Sequence, residues 1–262
     1  MTQARRRLVC PWRGTARRAV LPLCVWLAGA GTALAAETIT SARFTEPTSR
    51  YAHGVLGDAE EWEALEIKTN NASNDTLSSN AVLRKNTYTI RLPLTSVFED
   101  VAPRLADVDG DGNPEVVVVE TSVTQGASLA IYDAKGKRAA TPYIGTRNRW
   151  LAPVAVADLD GDGFVELAYI DRPHLMKTLR VWRFENGALS EIATFGGVTN
   201  HRVGETDIAG GLRDCGTGPE MIVANANWTR LMAVTLQNAS LVARDIGPHK
   251  NRNSFNRALE CR

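Results

Sequence analysis

Apolar positions along this chain gather in short runs. The clearest are Val116-Val117-Val118-Val119, Leu167-Ala168-Tyr169-Ile170 and Met221-Ile222-Val223-Ala224. Runs of this length, β-branched or aromatic and bounded by turn residues, predict strands buried on both faces. Leu179 to Phe184 instead alternates apolar with polar residues and ends at the turn Glu185-Asn186-Gly187, the pattern of a half-buried strand. Ala64 to Ile67 and Thr38 to Phe44 are further strand candidates. Residues 68–87 are mostly polar without sustained periodicity and predict an exposed hairpin loop.

The first two runs follow one nine-residue pattern. Asp107-Val-Asp109-Gly-Asp111-Gly-Asn113-Pro-Glu115 precedes the first, and Asp158-Leu-Asp160-Gly-Asp162-Gly-Phe164-Val-Glu166 the second. Each sets carboxylates at positions 1, 3, 5 and 9, where alternation turns them toward one centre. Gly112 and Gly163 permit the sharp turn because they tolerate positive φ. Crowded carboxylates repel one another without a cation. Ca²⁺ takes six to eight oxygen ligands, and Asn113 and Phe164 can add backbone carbonyls. The expectation is two Ca²⁺ sites. An EF-hand would carry its bidentate Glu at position 12 between helices; here position 12 is Val118 or Tyr169, inside a strand-like run.

With Val101-Ala102-Pro103 and Leu151-Ala152-Pro153 placed just ahead of these loops, the sequence resembles the FG-GAP/VCBS repeat family of calcium-binding β-propellers. The Phe-Gly part of the motif is not evident. The resemblance implies an all-β fold, a β-propeller of repeats about 50 residues long. Spacing agrees, since 158 − 107 = 51. A second recurring position (51, 98, 150, 201, 255) gives units near 51–97, 98–149, 150–200 and 201–254 within one domain, 36–262. The remainder, 255–262, is expected to pair with residues 37–46, closing a ring of four or five blades and hiding an exposed edge. In the fourth unit, Leu212 to Glu220 occupies a loop position but keeps only Asp214 and Glu220 as acids, so no metal is expected there.

The first 35 residues read as a secretory signal. Arg5, Arg6, Arg7, Arg13, Arg17 and Arg18 precede the apolar stretch Ala19–Ala30 and the small-residue exit Ala33-Leu34-Ala35. Sec and twin-arginine export stay open. The signal carries six Arg and no acid, so the net charge of +1 becomes 1 − 6 = −5 in the mature chain. That balance excludes the basic footprint of a nucleic-acid binder. The expectation is a periplasmic or secreted monomer with no membrane span in its mature part.

Cys215 and Cys261 remain after cleavage, an even number that permits one disulfide. Cys215 lies in the degenerate loop. Cys261 follows Phe255 by six residues, much as Asp158 follows Trp150 by eight, so both are expected at the same end of neighbouring units.

No nucleophile elbow, HExxH, CxxC or phosphate loop is present. Two functions remain. One is a non-catalytic calcium-binding module for a protein or an envelope glycan. The other is a polysaccharide lyase or hydrolase on a propeller scaffold. The recurring positions gather Arg50, Tyr51, Arg149, Trp150, His201 and Arg202 as a candidate ligand face. Packing between blades is the competing role for Trp150, Trp182 and Trp228, and for His53 and His201.

Overall fold

The computed structural model describes residues 37–73 and 82–262. The export signal expected at 1–35 lies outside the described residues. What is described is almost all β. In chain order the strands are β1 (Thr38–Thr48), β2 (Glu61–Ser73), β3 (Val82–Arg91), β4 (Ser96–Phe98), β5 (Arg104–Ala106), β6 (Glu115–Ser122), β7 (Gly126–Asp133) and β8 (Gly136–Ala140). Then come β9 (Leu151–Ala157), β10 (Val165–Asp171), β11 (Thr178–Glu185), β12 (Ala188–Gly196), β13 (Val198–Thr199), β14 (Gly211–Asp214), β15 (Pro219–Asn225), β16 (Arg230–Gln237) and β17 (Ser240–Pro248). One helix, α1 (Arg252–Leu259), ends the chain.

The strands form three antiparallel sheets. The first runs β1-β2-β4-β6-β7-β8, with β3 also on β2 and β5 on β6. The second runs β12-β11-β10-β9, and the third β13-β15-β16-β17, with β14 also on β15. The described parts of the polar segment 68–87 are therefore ladder: β2 and β3 pair from Ala64↔Arg91 to Ser73↔Val82.

Side chains alternate across each pleat, so the apolar runs divide between two layers. In β6, Val117 and Val119 pack with Leu151, Leu167 and Tyr169 of the second sheet. Val116 and Val118 face the other way, onto Leu65 and Ile67 of β2. In β10, Ala168 and Ile170 meet Met221 and Val223 of β15. Ile222 and Ala224, on the opposite side of β15, meet Phe255 and Ala258. The layers thus follow one another from the β1–β3 end to α1.

That order corrects the expected ring closure. Among the described residues the strands group into three sheets, β1 pairs with β2 rather than with residues 255–262, and residues 252–259 are helical. The physical reason lies in the final segment. Phe255, Ala258 and Leu259 stand at i, i+3 and i+4, a helical spacing that gives one apolar face. Ser254 Oγ accepts hydrogen bonds from the backbone N–H groups of Lys250 and Asn251 at the helix start. The disulfide Cys215–Cys261, with Cα atoms 5.7 Å apart, ties the end of this helix to the loop between β14 and β15.

Phe255 is 1 % exposed and anchors the helix. Phe255→Ala is expected to cost about 3–5 kcal/mol of stability through the cavity it leaves. Exposed Asn256→Ala should stay within about 0.5 kcal/mol. Chemical denaturation of both variants reads the difference, and equal midpoints would show that α1 contributes little to the core.

Candidate metal loops and an ionisable cluster

Both acidic loops sit between strands at one end of the layers, joining β5 to β6 and β9 to β10. The local fold follows from the Asp spacing. Asp107 Oδ1 accepts from the N–H of Gly110 (2.8 Å) and Asp111 (3.1 Å), and its Oδ2 from Gly112 (2.9 Å). Asp158 repeats this with Gly161 (2.7 Å) and Gly163 (3.0 Å). Gly112 and Gly163 lie at φ 88° and 91°, where a side chain would be strained. Glu115 Oε2 accepts from Val108 N–H at 3.0 Å, and Glu166 Oε2 from Leu159 N–H at 2.9 Å.

The result is two matching clusters. Oxygens of Asp107, Asp109 and Glu115 lie within 4.8 Å of one another, as do those of Asp158, Asp160 and Glu166. Asp111 and Asp162 stand outside these triads and cap the turn, accepting from the N–H of Asn113 (2.7 Å) and Phe164 (3.0 Å). The Asn113 side chain accepts from Thr38 Oγ1 at 2.6 Å, which links β1 to the first loop. Burial raises the pKa of both Glu115 and Glu166. Crowded, partly desolvated carboxylates with an all-oxygen donor set fit a hard divalent cation.

Sequence reasoning missed the arginines beside these loops. Arg183 contacts Asp160 (3.0 Å), Asp162 (2.7 Å) and Glu166 (2.7 Å). Arg138 contacts Asp109 (3.1 Å) and Glu115 (3.4 Å). For Arg183 a signal existed, because β11 pairs with β10 and sets Arg183 opposite Glu166. The degenerate third loop carries this further. Burial alone would raise Glu220, but hydrogen bonds from Arg213 and Arg244 outweigh it and hold the carboxyl below its ordinary range. Arg213 and Arg244 neutralise Glu220 in a loop whose other acid is Asp214 and which the disulfide ties at Cys215.

The six residues of the candidate ligand face do not form one exposed patch. Tyr51, Trp150 and His201 are buried. Tyr51 Oη accepts from Asn148 N–H at 2.8 Å, and Trp150 Nε1 donates to Glu99 O at 2.8 Å. Arg50 pairs with Glu63 at 2.5 Å and donates to Ser96 O at 2.7 Å. Arg202 lies over the Trp228 ring at 4.1 Å. Arg149 is half-buried and has no carboxylate partner among the described residues. Trp182 packs against the core between the first two sheets, and Trp228 against α1.

Beneath these residues lies an ionisable cluster that the sequence did not announce. Glu99 is fully buried; its oxygens meet His53 Nδ1 at 2.5 Å and Thr121 Oγ1 at 2.6 Å. His174 Nε2 and His201 Nδ1 are 3.0 Å apart. Glu61, also buried, is pushed up to about 9 by burial, with Glu99 and Asp58 adding to the effect.

A folded pKa above the ordinary 4.5 means that folding takes up a proton at Glu61 between about pH 4.5 and 9. Its contribution is fully present at low pH and is lost as pH rises through that window. Glu61→Gln should therefore gain on the wild type as pH rises from about 5 to 9, by up to about 1.4 kcal/mol per pH unit. Urea midpoints across the range measure this, and parallel pH profiles would show that Glu61 titrates as an ordinary carboxyl.

Comparison with known proteins adds the following. Residues 102–169, which span both acidic loops and reach into β10, match the FG-GAP-like repeat. No curated protein matches the chain. Among solved structures, the crystal structure of the exotype rhamnogalacturonan lyase YesX is similar at 13 % identity and a TM-score of 0.36. That alignment covers 78 % of this chain and 48 % of the lyase, so the chain spans about half of that protein's length.

Proposed function

Because the chain carries an FG-GAP-like repeat, we propose that it is an exported, non-catalytic module that binds two Ca²⁺ ions and recognises a protein or an envelope glycan. One observation carries the metal reading: two loops 51 residues apart bring the same three carboxylates to a common centre, each with a buried glutamate. Asp107, Asp109 and Glu115 would hold one ion, and Asp158, Asp160 and Glu166 the other. Asp111 and Asp162, with the carbonyls of Asn113 and Phe164, would complete the oxygen shells. The bound charge offsets the repulsion of the crowded acids and fixes each loop between its strands. The ligands come from one short segment per site and support a structural role. The disulfide is consistent with an oxidising compartment. Among the described residues no helix is long and apolar enough to cross a membrane.

Calcium should raise the melting temperature relative to EDTA. With extracellular-type affinities of about 10⁻⁴–10⁻³ M, about 10 mM calcium stabilises by roughly 1.4–2.7 kcal/mol per site. Calorimetric titration should give two ions for the wild type and one for the Asp158→Asn, Asp160→Asn double variant. Identical melting in calcium and EDTA would end the metal reading. A polysaccharide screen separates the functions, since saturable binding without turnover fits the module and turnover overturns it.

A further inference from the structure

The end of the layers remote from the acidic loops holds groups that the metal reading leaves without a role. β9 and β10 fix the geometry. Their other ends are joined by the second loop, whereas Trp150 immediately precedes β9 and Arg172 immediately follows β10. Here a cavity of about 220 Å³ is lined by His53, Arg149, Trp150, Arg172 and His174, with Leu175 at the rim. It is smaller than the usual pocket for a drug-sized ligand, about 300–1,000 Å³.

Hydrogen bonds orient both histidines. His201 Nε2 lies 2.9 Å from the carbonyl oxygen of Glu205 and so carries the proton. In the neutral ring His201 Nδ1 then accepts from His174 Nε2, which leaves His174 Nδ1 as an acceptor. Burial, with the neighbouring His201 and His53, pushes His174 down to about 4, so its ring is neutral at physiological pH. His53 Nδ1 lies 2.5 Å from Glu99 Oε1, and its Nε2 has no protein partner among the described residues.

The cationic side is also arranged. Asp171 holds Arg172 through Nε (2.7 Å) and Nη2 (2.9 Å), leaving Nη1. Arg172 takes φ 46° and Asn148, beside Arg149, φ 54°. Left-handed backbone at non-glycine residues is costly and persists where the surroundings enforce it. Here Arg172 N–H donates to Trp150 O at 3.0 Å, and Asn148 N–H to Tyr51 Oη.

We propose that this cavity binds one acidic monosaccharide, a sugar ring bearing a carboxylate. Arg149 and Arg172 supply charge-assisted hydrogen bonds to the carboxylate. His174 Nδ1 and His53 Nε2 supply partners for ring hydroxyls, and Trp150 and Leu175 an apolar edge for the C–H face. The proposal rests on the reading of the chain as a glycan-binding module and names its ligand class and site.

Ligand-observed NMR and calorimetry of the calcium-loaded protein with sodium glucuronate and with glucose provide the test. Saturable glucuronate binding is expected, at least about tenfold tighter than that of glucose. Arg149→Gln should lose that preference, while Arg43→Gln, at the exposed ion pair with Glu66, should keep it. If Arg149→Gln fails to fold, Leu175→Glu at a residue 61 % exposed places an acid at the rim and should give the same loss. Equal binding of the two sugars, no saturation, or wild-type affinity in the folded cavity variant would overturn the proposal. The readout is ligand signal rather than melting temperature, so failure here leaves the calcium reading standing. Conversely, an absent calcium response leaves glucuronate binding to be judged on its own.

Discussion

Each inner sheet of this protein has two apolar faces, and both must be covered. β6 and β10 have no surface to spare: nearly every residue in either strand is buried. A sheet of that kind is stable only between two other layers. Full burial of a Val, Leu, Ile or Phe side chain contributes about 1.5–3 kcal/mol. Leaving one face open would forfeit several such contributions at once. The hairpins of β1–β3 on one flank and α1 on the other follow from this demand, as does the division of each valine run between two neighbouring cores.

The same pairing of strands decides where charge accumulates. Three repeats bring a glutamate to the start of their central strand: Glu115, Glu166 and Glu220, each buried. The first two repeats answer that desolvated carboxylate alike and the third differently. Around Glu166 the partners are further acids and one arginine; around Glu220 there are two arginines, and Asp214 is the one other acid left in the loop. The third loop has fewer acids than the other two and two guanidinium groups on adjoining strands rather than one. The Cys215–Cys261 bond adds covalent restraint to that loop, so its geometry has support from outside the loop itself.

Much of this was legible in the chain. Val116 to Val119 announces a doubly buried strand because no polar residue interrupts it, and the DxDGDG spacing announces the loops because alternation and glycine leave the backbone few choices. The pairing of Cys215 with Cys261 was accessible from repeat position. Other features were hidden for physical reasons. The last segment has too few residues to display helical periodicity strongly, and its unit position suggested a strand; the packing of Phe255 against Ile222 and Ala224 decided otherwise. The ladder of β2 and β3 was masked by polar residues, since a strand with a solvated face does not need an apolar run. The His53–Glu99 and His174–His201 contacts join residues 46 and 27 positions apart. Only the assembled layers bring them together.

Repeated layers carry a hazard that single-core proteins lack: an uncovered end invites the next molecule to stack, and a chain of such contacts grows into a filament. Both ends of the described layers carry polar and charged groups. The β1–β3 flank carries the ion pairs Arg43–Glu66 and Arg91–Glu46, and α1 presents exposed Asn253, Asn256 and Arg257. An incoming β-sheet would have to strip water from charges at one end and from a polar helix face at the other. The cost of desolvating those groups opposes stacking at either end of the described layers.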